Sequence, residues 1–157
     1  MEFKLRPMIS RDKPQLMALL RDTSEFEPEE IPVAEEVIDA YLDNPDRYYI
    51  ITVAVIKSSV AGYVCFGQTP LTRYTWDIYW MAVTKEKRGQ GIGEALLRKA
   101  EESISRAGGK LVLVETSSKP NYLSTRRFYR RNEYKRITRI VDFYAPGDHL
   151  LIFEKRL

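Results

Sequence analysis

The feature that most constrains the fold of this chain is a change of hydrophobic period across residues 84–93. Upstream, Tyr48–Ile56, Val60–Gln68 and Tyr74–Val83 are rich in β-branched and aromatic residues and read as strands. The first two are joined only by Lys57-Ser58-Ser59, a link short enough to require an antiparallel turn. Downstream, Glu94–Arg106 sets Leu96, Leu97, Ala100 and Ile104 on one stripe of a helix that Gly108-Gly109 stops. Lys110–Glu115 then returns as a short apolar strand. Strand, helix and strand in that order form a crossover, which pairs its two strands in parallel. A meander feeding a crossover predicts a mixed sheet with one parallel pair in its middle.

The flanking segments complete the order. Phe3–Ile9 reads as a first strand, and Ser10-Arg11-Asp12-Lys13-Pro14 carries the capping and first-turn residues of a helix running through Leu19-Leu20. Val33, Val37, Ile38 and Tyr41 recur at helical spacing over Val33–Leu42, which Asn44-Pro45 ends. Asn121–Arg131 reads as a helix, Glu133–Phe143 as a strand, and Leu150–Leu157 as a last strand after Ala145-Pro146-Gly147-Asp148. The predicted order is βααβββαβαββ, within a single domain spanning 1–157.

At 157 residues such a domain buries about 68–70% of its unfolded surface without staples. No apolar run approaches the roughly 20 residues that span a bilayer, so no membrane role is expected. Met1–Pro7 alternates charged and apolar residues and lacks the apolar core of a secretory signal, which predicts a cytoplasmic protein. One His and the single Cys65, set in an apolar run, cannot build a zinc site; no metal is expected, and Cys65 is read as a buried thiol. A net charge of +3 is too mild for a dedicated nucleic-acid binder. The distribution says more. Between Glu25 and Asp46 lie nine acids and no Lys or Arg, whereas Arg126–Arg139 holds seven basic residues against Glu133 alone. A run of acids most often serves as a solvated helix face.

The loop Arg88-Gly89-Gln90-Gly91-Ile92-Gly93 separates strand from helix, where free backbone N–H groups and the helix dipole favour an anion. Counted from Gly89, both a Walker-type loop and a dinucleotide fingerprint require glycine at 94, which is Glu94. Neither motif is present. A glycine cluster can also be only a tight turn. The loop nevertheless fits a larger pattern. With the preceding strand end Met81-Ala82-Val83 it resembles the Arg/Gln-x-x-Gly-x-Gly/Ala pyrophosphate loop of the GNAT superfamily of acyl-CoA N-acyltransferases. Asn121-Tyr122-Leu123-Ser124-Thr125-Arg126-Arg127-Phe128-Tyr129, followed by Tyr134, resembles that family's second signature, an Asn opening a helix that carries Phe-Tyr. The resemblance covers the whole chain.

It implies an α/β fold of the GNAT type: a mixed, mostly antiparallel sheet of about seven strands with about four helices, strands four and five parallel and splayed. It further implies acetyl-CoA as co-substrate, no metal, and transfer of its acetyl group by direct attack to a primary amine of a small molecule or peptide. Pantetheine would pair with Met81, Ala82 and Val83. The pyrophosphate would lie over the N–H groups of Gly89, Gln90, Gly91, Ile92 and Gly93 beside Arg88, and Asn121 and Ser124 would bond the pantetheine or the phosphates. Asn and Ser are equally ordinary helix caps. Tyr129 would protonate the departing thiolate, a transfer close to balanced on reference pKa values near 10 and 8.5. A backbone N–H near Val83 would hold the oxyanion. The amine must lose a proton, and Asp77 on the fourth strand and Glu115 ending the fifth are the two candidates; the motifs do not choose between them. With unbroken alternation Asp77, Tyr79 and Met81 share a face, although a bulge is usual in the family near the cofactor. Tyr79, Glu115 and Tyr144 are expected around the acceptor, which would enter between segment 25–46 and Tyr144–His149. His149 itself is read as a polar residue at a strand start. The family's usual Gly after Phe-Tyr is missing, and Asn132 is expected to take the left-handed turn. The resemblance also admits a homodimer. Two other readings remain: an acyl-CoA-binding module without turnover, and a nucleic-acid binder stacking bases on Tyr122, Phe128, Tyr129 and Tyr134, which burial of Phe128 and Tyr129 in a helix face would defeat.

Overall fold

A computed structural model of the chain describes residues 2–157. Its elements are β1 (Lys4–Pro7), α1 (Lys13–Asp22), α2 (Glu30–Asp43), β2 (Ile50–Ile56), β3 (Ser59–Gln68), β4 (Thr75–Val83), α3 (Ile92–Arg106), β5 (Leu111–Ser117), α4 (Leu123–Arg131), β6 (Lys135–Ala145) and β7 (Asp148–Arg156). The predicted order holds throughout, with short 3-10 turns before α1, α3 and α4. The seven strands form one sheet in the order β1-β2-β3-β4-β5-β7-β6, antiparallel except at β4–β5. No helix among the described residues is long and apolar enough to cross a membrane.

Both sheet faces are covered. On one, Ile92, Leu96, Leu97, Ala100 and Ile104 of α3 pack with Tyr129 and Tyr134 against Val64, Phe66, Ile78, Val112 and Phe153. On the other, Leu16, Leu20, Ile38 and Tyr41 of α1 and α2 pack against Ile51, Val53, Tyr63 and Cys65. Fully burying side chains of this size stabilises by about 1.5–3 kcal/mol each, an upper bound set against an extended chain. Cys65 lies in this second core, wholly buried, with its thiol pushed upward by desolvation. The apolar stripe of α2 is rotated from its predicted position: Val33 is half exposed and Ala34 takes the inward place, because the helix begins at Glu30.

Two irregularities shape the middle of the sheet. The parallel register of β4 and β5 ends at the pair Ile78–Val114. Beyond it residues 79–83 and 115–117 run on unpaired with each other and leave a gap. In the same place β4 carries a bulge: Cys65 faces Trp80 and Phe66 faces Ile78, so Tyr79 is the extra residue. The bulge reverses the alternation. Met81 and Val83 join the core face of Ile78, while Trp80 packs against the opposite core. Asp77 and Met81 therefore stand on opposite faces, which replaces the expectation that they share one.

Candidate functional site

Two clefts open on the gap between β4 and β5. The first, of about 680 Å³, runs from Met81, Ala82 and Val83 past Arg88, Gly91 and Gly93 to Ser124, Phe128 and Asn132 on α4. The second, of about 620 Å³, lies between Asp77–Met81 of β4, Val114–Ser117 of β5, the α1–α2 link and Tyr144 with Asp148. Met81 and Tyr129 line both. The two spaces meet where the strands part.

The glycine loop builds the floor of the first cleft. Gly91 caps α3 with φ of 85°, a left-handed conformation that costs an L side chain roughly 1–2 kcal/mol. Its carbonyl accepts from Ala95 N at 3.0 Å, so α3 opens at Ile92 rather than at the predicted Glu94. A Cβ at Gly93 would lie 3.3 Å from the Phe128 ring, so glycine there lets the start of α3 sit close to α4. Lys87, Arg88 and Arg131 are the cations along this cleft, against Glu25 and Glu94. Arg88 is already engaged: it donates to the Val83 carbonyl at 3.2 Å and to both Glu25 carboxylate oxygens at 3.2 and 3.3 Å. Glu25 lines both clefts, and its backbone carbonyl accepts from Tyr122 Oη at 2.8 Å.

Tyr129 is 4% exposed, and its hydroxyl reaches only Met81 Sδ, at 3.8 Å. Its ring stacks edge-on with Phe128 and Tyr134 at 5.2 and 5.5 Å. Burial raises its pKa well above the ordinary tyrosine value, so the phenol stays protonated at neutral pH. That widens the gap to a thiol beyond the near balance expected from reference values. The left-handed residue after α4 is Glu133, at φ of 71°; Asn132 instead donates from Nδ2 to the Phe128 carbonyl at 2.9 Å.

In the second cleft Asp77 accepts from Thr69 Oγ1 at 2.6 Å. Burial first, then the Asp77 charge, raise Glu115 above the usual carboxylate range. Tyr79 and Tyr144 are each pushed up to about 12, mainly by burial, with Asp77 acting on the former and Glu115, Asp148 and Glu30 on the latter. Seven carboxylates line this cleft (Glu25, Glu27, Glu29, Glu30, Asp77, Glu115, Asp148) against the one cation Lys119. Phe26 and Trp80, edge-on at 5.4 Å, supply apolar wall.

Of the residues singled out by sequence, Met81, Ala82, Val83, Arg88, Gly89, Gly91, Ile92, Gly93, Ser124 and Tyr129 line the first cleft, and Asp77, Tyr79, Glu115 and Tyr144 line the second. Gln90 and Asn121 are exposed and line neither. His149 is also outside; its Nδ1 accepts from Asp142 N at 2.9 Å. Phe128 is half-buried, and Tyr129 and Tyr134 are buried, which removes them as a platform for stacking bases. Sequence reasoning missed Phe26, Thr116 and Thr125; the acidic run was the only pointer to the α1–α2 link. Among the described residues no three His, Cys, Asp or Glu side chains converge as metal ligands would.

A family model described as an acetyltransferase (GNAT) domain matches residues 46–136, more than half of the chain. The chain belongs to the GNAT acetyltransferase family. A GNAT-family protein from Desulfovibrio desulfuricans is 32% identical, with a TM-score of 0.95 over 99% of each chain. An aminoglycoside 6'-N-acetyltransferase complexed with coenzyme A is 19% identical, with a TM-score of 0.77 over 98% of this chain and 96% of that one. The ribosomal-protein-S18-alanine N-acetyltransferase of Escherichia coli is 13% identical, also at 0.77, over 99% and 94%. At these identities the last two speak for the fold alone. No functionally curated protein matches the sequence.

Proposed function

We propose that this GNAT protein transfers the acetyl group of acetyl-CoA to a primary amine by direct attack, with donor and acceptor held together in the two clefts. The observation that carries the reading is their meeting at Met81 and Tyr129, in the gap between β4 and β5. The unpaired stretch 79–83 offers backbone donors and acceptors to a pantetheine arm running alongside it. Loop N–H groups, the dipole of α3 and the cations Lys87, Arg88 and Arg131 suit a pyrophosphate. Asn121, exposed and outside both clefts, is left as a helix-opening residue; Ser124 keeps a contact role.

The amine nitrogen attacks the thioester carbonyl, a backbone N–H near Val83 receives the oxyanion, and the thiolate leaves with a proton from Tyr129. A lysine-like ammonium has a reference pKa near 10.4, so a base must first take its proton. Between the two carboxylates we assign that task to Glu115. Asp77 is held by Thr69, whereas Glu115 is made more basic by burial and by the neighbouring Asp77 charge. Asp77 thus acts through Glu115.

The test is release of free thiol from acetyl-CoA across a panel of primary amines, with calorimetric binding of acetyl-CoA to the protein and to Gly91→Asp. Binding lost in the variant and amine-dependent thiol release are expected. Binding without release for any amine would make the chain an acyl-CoA-binding module, and absence of binding would overturn the reading altogether.

A further inference from the structure

We infer that Glu25 is a positioning residue that couples the donor cleft to the acceptor cleft. In this structure it holds Arg88 across the path of the pantetheine arm; a pyrophosphate that takes Arg88 releases Glu25, and with it the wall the two clefts share. This rests on the proposed use of acetyl-CoA. Thr84 N donates to the Ala61 carbonyl of β3 at 2.8 Å, so by alternation the carbonyl of Val83 points the other way, into the gap. It is one of the acceptors an arm lying along 79–83 would use, and it is occupied: Arg88 Nε donates to it at 3.2 Å. The two Nη nitrogens of the same guanidinium donate to the two carboxylate oxygens of Glu25 at 3.2 and 3.3 Å. Arg88 and Glu25 therefore bridge the end of β4 to the α1–α2 link, residues 23–29.

The lengths of these bonds say which way a contest for Arg88 goes. Arg6 on buried Asp12 closes to 2.7 and 2.9 Å, as charge-assisted pairs do, and every bond of Arg88 is longer. The Arg88 side chain is also 41% exposed, where an ion pair contributes little. A multiply charged pyrophosphate presents a planar fork with more acceptor oxygens than one carboxylate can, and it takes the guanidinium. Glu25, only 12% exposed and ion-paired with Arg88 alone among the described residues, is then an unpaired carboxylate beside phosphates. Repulsion moves it, and moving it moves the link. Phe26, the next residue, packs edge-on against Trp80 at 5.4 Å and lines both clefts. The link has no regular secondary structure, and Tyr122 Oη donates to the Glu25 backbone carbonyl at 2.8 Å. That bond does not depend on the Glu25 charge, so it serves as the pivot about which the Phe26 wall swings. Occupancy of the donor cleft is thereby felt in the acceptor cleft.

Amide hydrogen exchange with and without CoA, beside calorimetric binding of CoA, tests this on the full chain and on Glu25→Gln, Glu25→Asp and Arg88→Gln. The reporters are Phe26 N and Glu27 N, bonded here to the Thr23 carbonyl at 3.1 Å and the Glu30 carboxylate at 2.7 Å. In the parent, CoA is expected to speed exchange at both by about fivefold or more. Glu25→Gln and Arg88→Gln should exchange at the faster rate without CoA and respond no further to it. Glu25→Gln should bind CoA about tenfold more tightly than the parent, because no bridge has to open first. Glu25→Asp, charged yet a methylene too short to span to both Nη nitrogens, should bind more tightly as well. A gain confined to the glutamine variant would assign the effect to general repulsion and overturn the inference. Unchanged or slower exchange of the link on CoA binding, or weaker CoA binding by Glu25→Gln, would also overturn it while leaving acetyl transfer standing. The expected exchange and affinities in a protein that releases no thiol with any amine would keep the coupling and remove the transfer reading. Absence of CoA binding by the parent would overturn both.

Discussion

Replacing Tyr129 with phenylalanine separates the chemistry of the site from the packing that holds it. The ring makes the edge-on contacts with Phe128 and Tyr134, and phenylalanine keeps them. The hydroxyl has one neighbour, the Met81 thioether at 3.8 Å, and a thioether is a weak acceptor. Its removal from a site 4% exposed therefore forfeits little, and relieves the desolvation of a nearly unpartnered group, a gain of up to about 1 kcal/mol. For a chain of this length 1 kcal/mol moves Tm by about 2–4 °C. Tm should stay within a few degrees of the parent or rise. If the phenol delivers the proton to the thiolate, its loss should lower kcat by about 10²–10⁴. Steady-state thiol release and thermal denaturation on the same samples give both numbers. Parental kcat in the variant would refute the assignment, and a loss of more than about 2 kcal/mol of stability would refute the description of the hydroxyl as poorly partnered.

With Glu115 as base, kcat/KM should fall as pH drops through a value above the ordinary carboxylate range, since its folded-state pKa is raised. Glu115→Gln should lower kcat/KM strongly near pH 7 and progressively less towards pH 10, where the free amine is itself abundant; a loss constant across pH would contradict the role. Asp77→Asn should move the acid limb downward by removing the charge that raises Glu115. Away from the site, buried Asp12 accepts from Arg6 at 2.7 and 2.9 Å and from Ile9 N at 2.9 Å, and Asp12→Asn should cost about 2 kcal/mol in denaturant titrations at pH 7. The Asp12 pKa is lowered in the fold, mainly by Arg6, so this stabilisation is present above about pH 4 and lost as pH falls through the lowered value. A penalty unchanged at pH 2 would contradict it.

How far the sequence reached follows from the range of each interaction. The order of elements and the parallel β4–β5 pair were legible because period, turn residues and connection length are local. The family signatures placed the loop and Tyr129 at the cleft. The bulge at Tyr79 was not legible, since it is a matter of register between β3 and β4, and it decides that Met81 rather than Asp77 turns toward Tyr129. Nor was the Arg88–Glu25 pair, which joins residues 63 positions apart and draws the α1–α2 link over both clefts. Val33 misled because its spacing fits two neighbouring stripes of one helix, and packing chose Ala34. Asn121 fits the motif by letter, yet its place in the 3-10 turn before α4 leaves it exposed.

In the proposed reaction donor and acceptor occupy two clefts joined at Met81 and Tyr129. A conjugate in which the CoA sulfur is linked through an acetyl spacer to one nitrogen of 1,4-diaminobutane tests it most directly, by calorimetry against CoA and the diamine separately. Joining the two ligands makes the second contact intramolecular, so the conjugate should bind at least tenfold more tightly than CoA, with the gain lost in Glu115→Gln. A conjugate that binds no more tightly than CoA alone would contradict this arrangement of donor and acceptor.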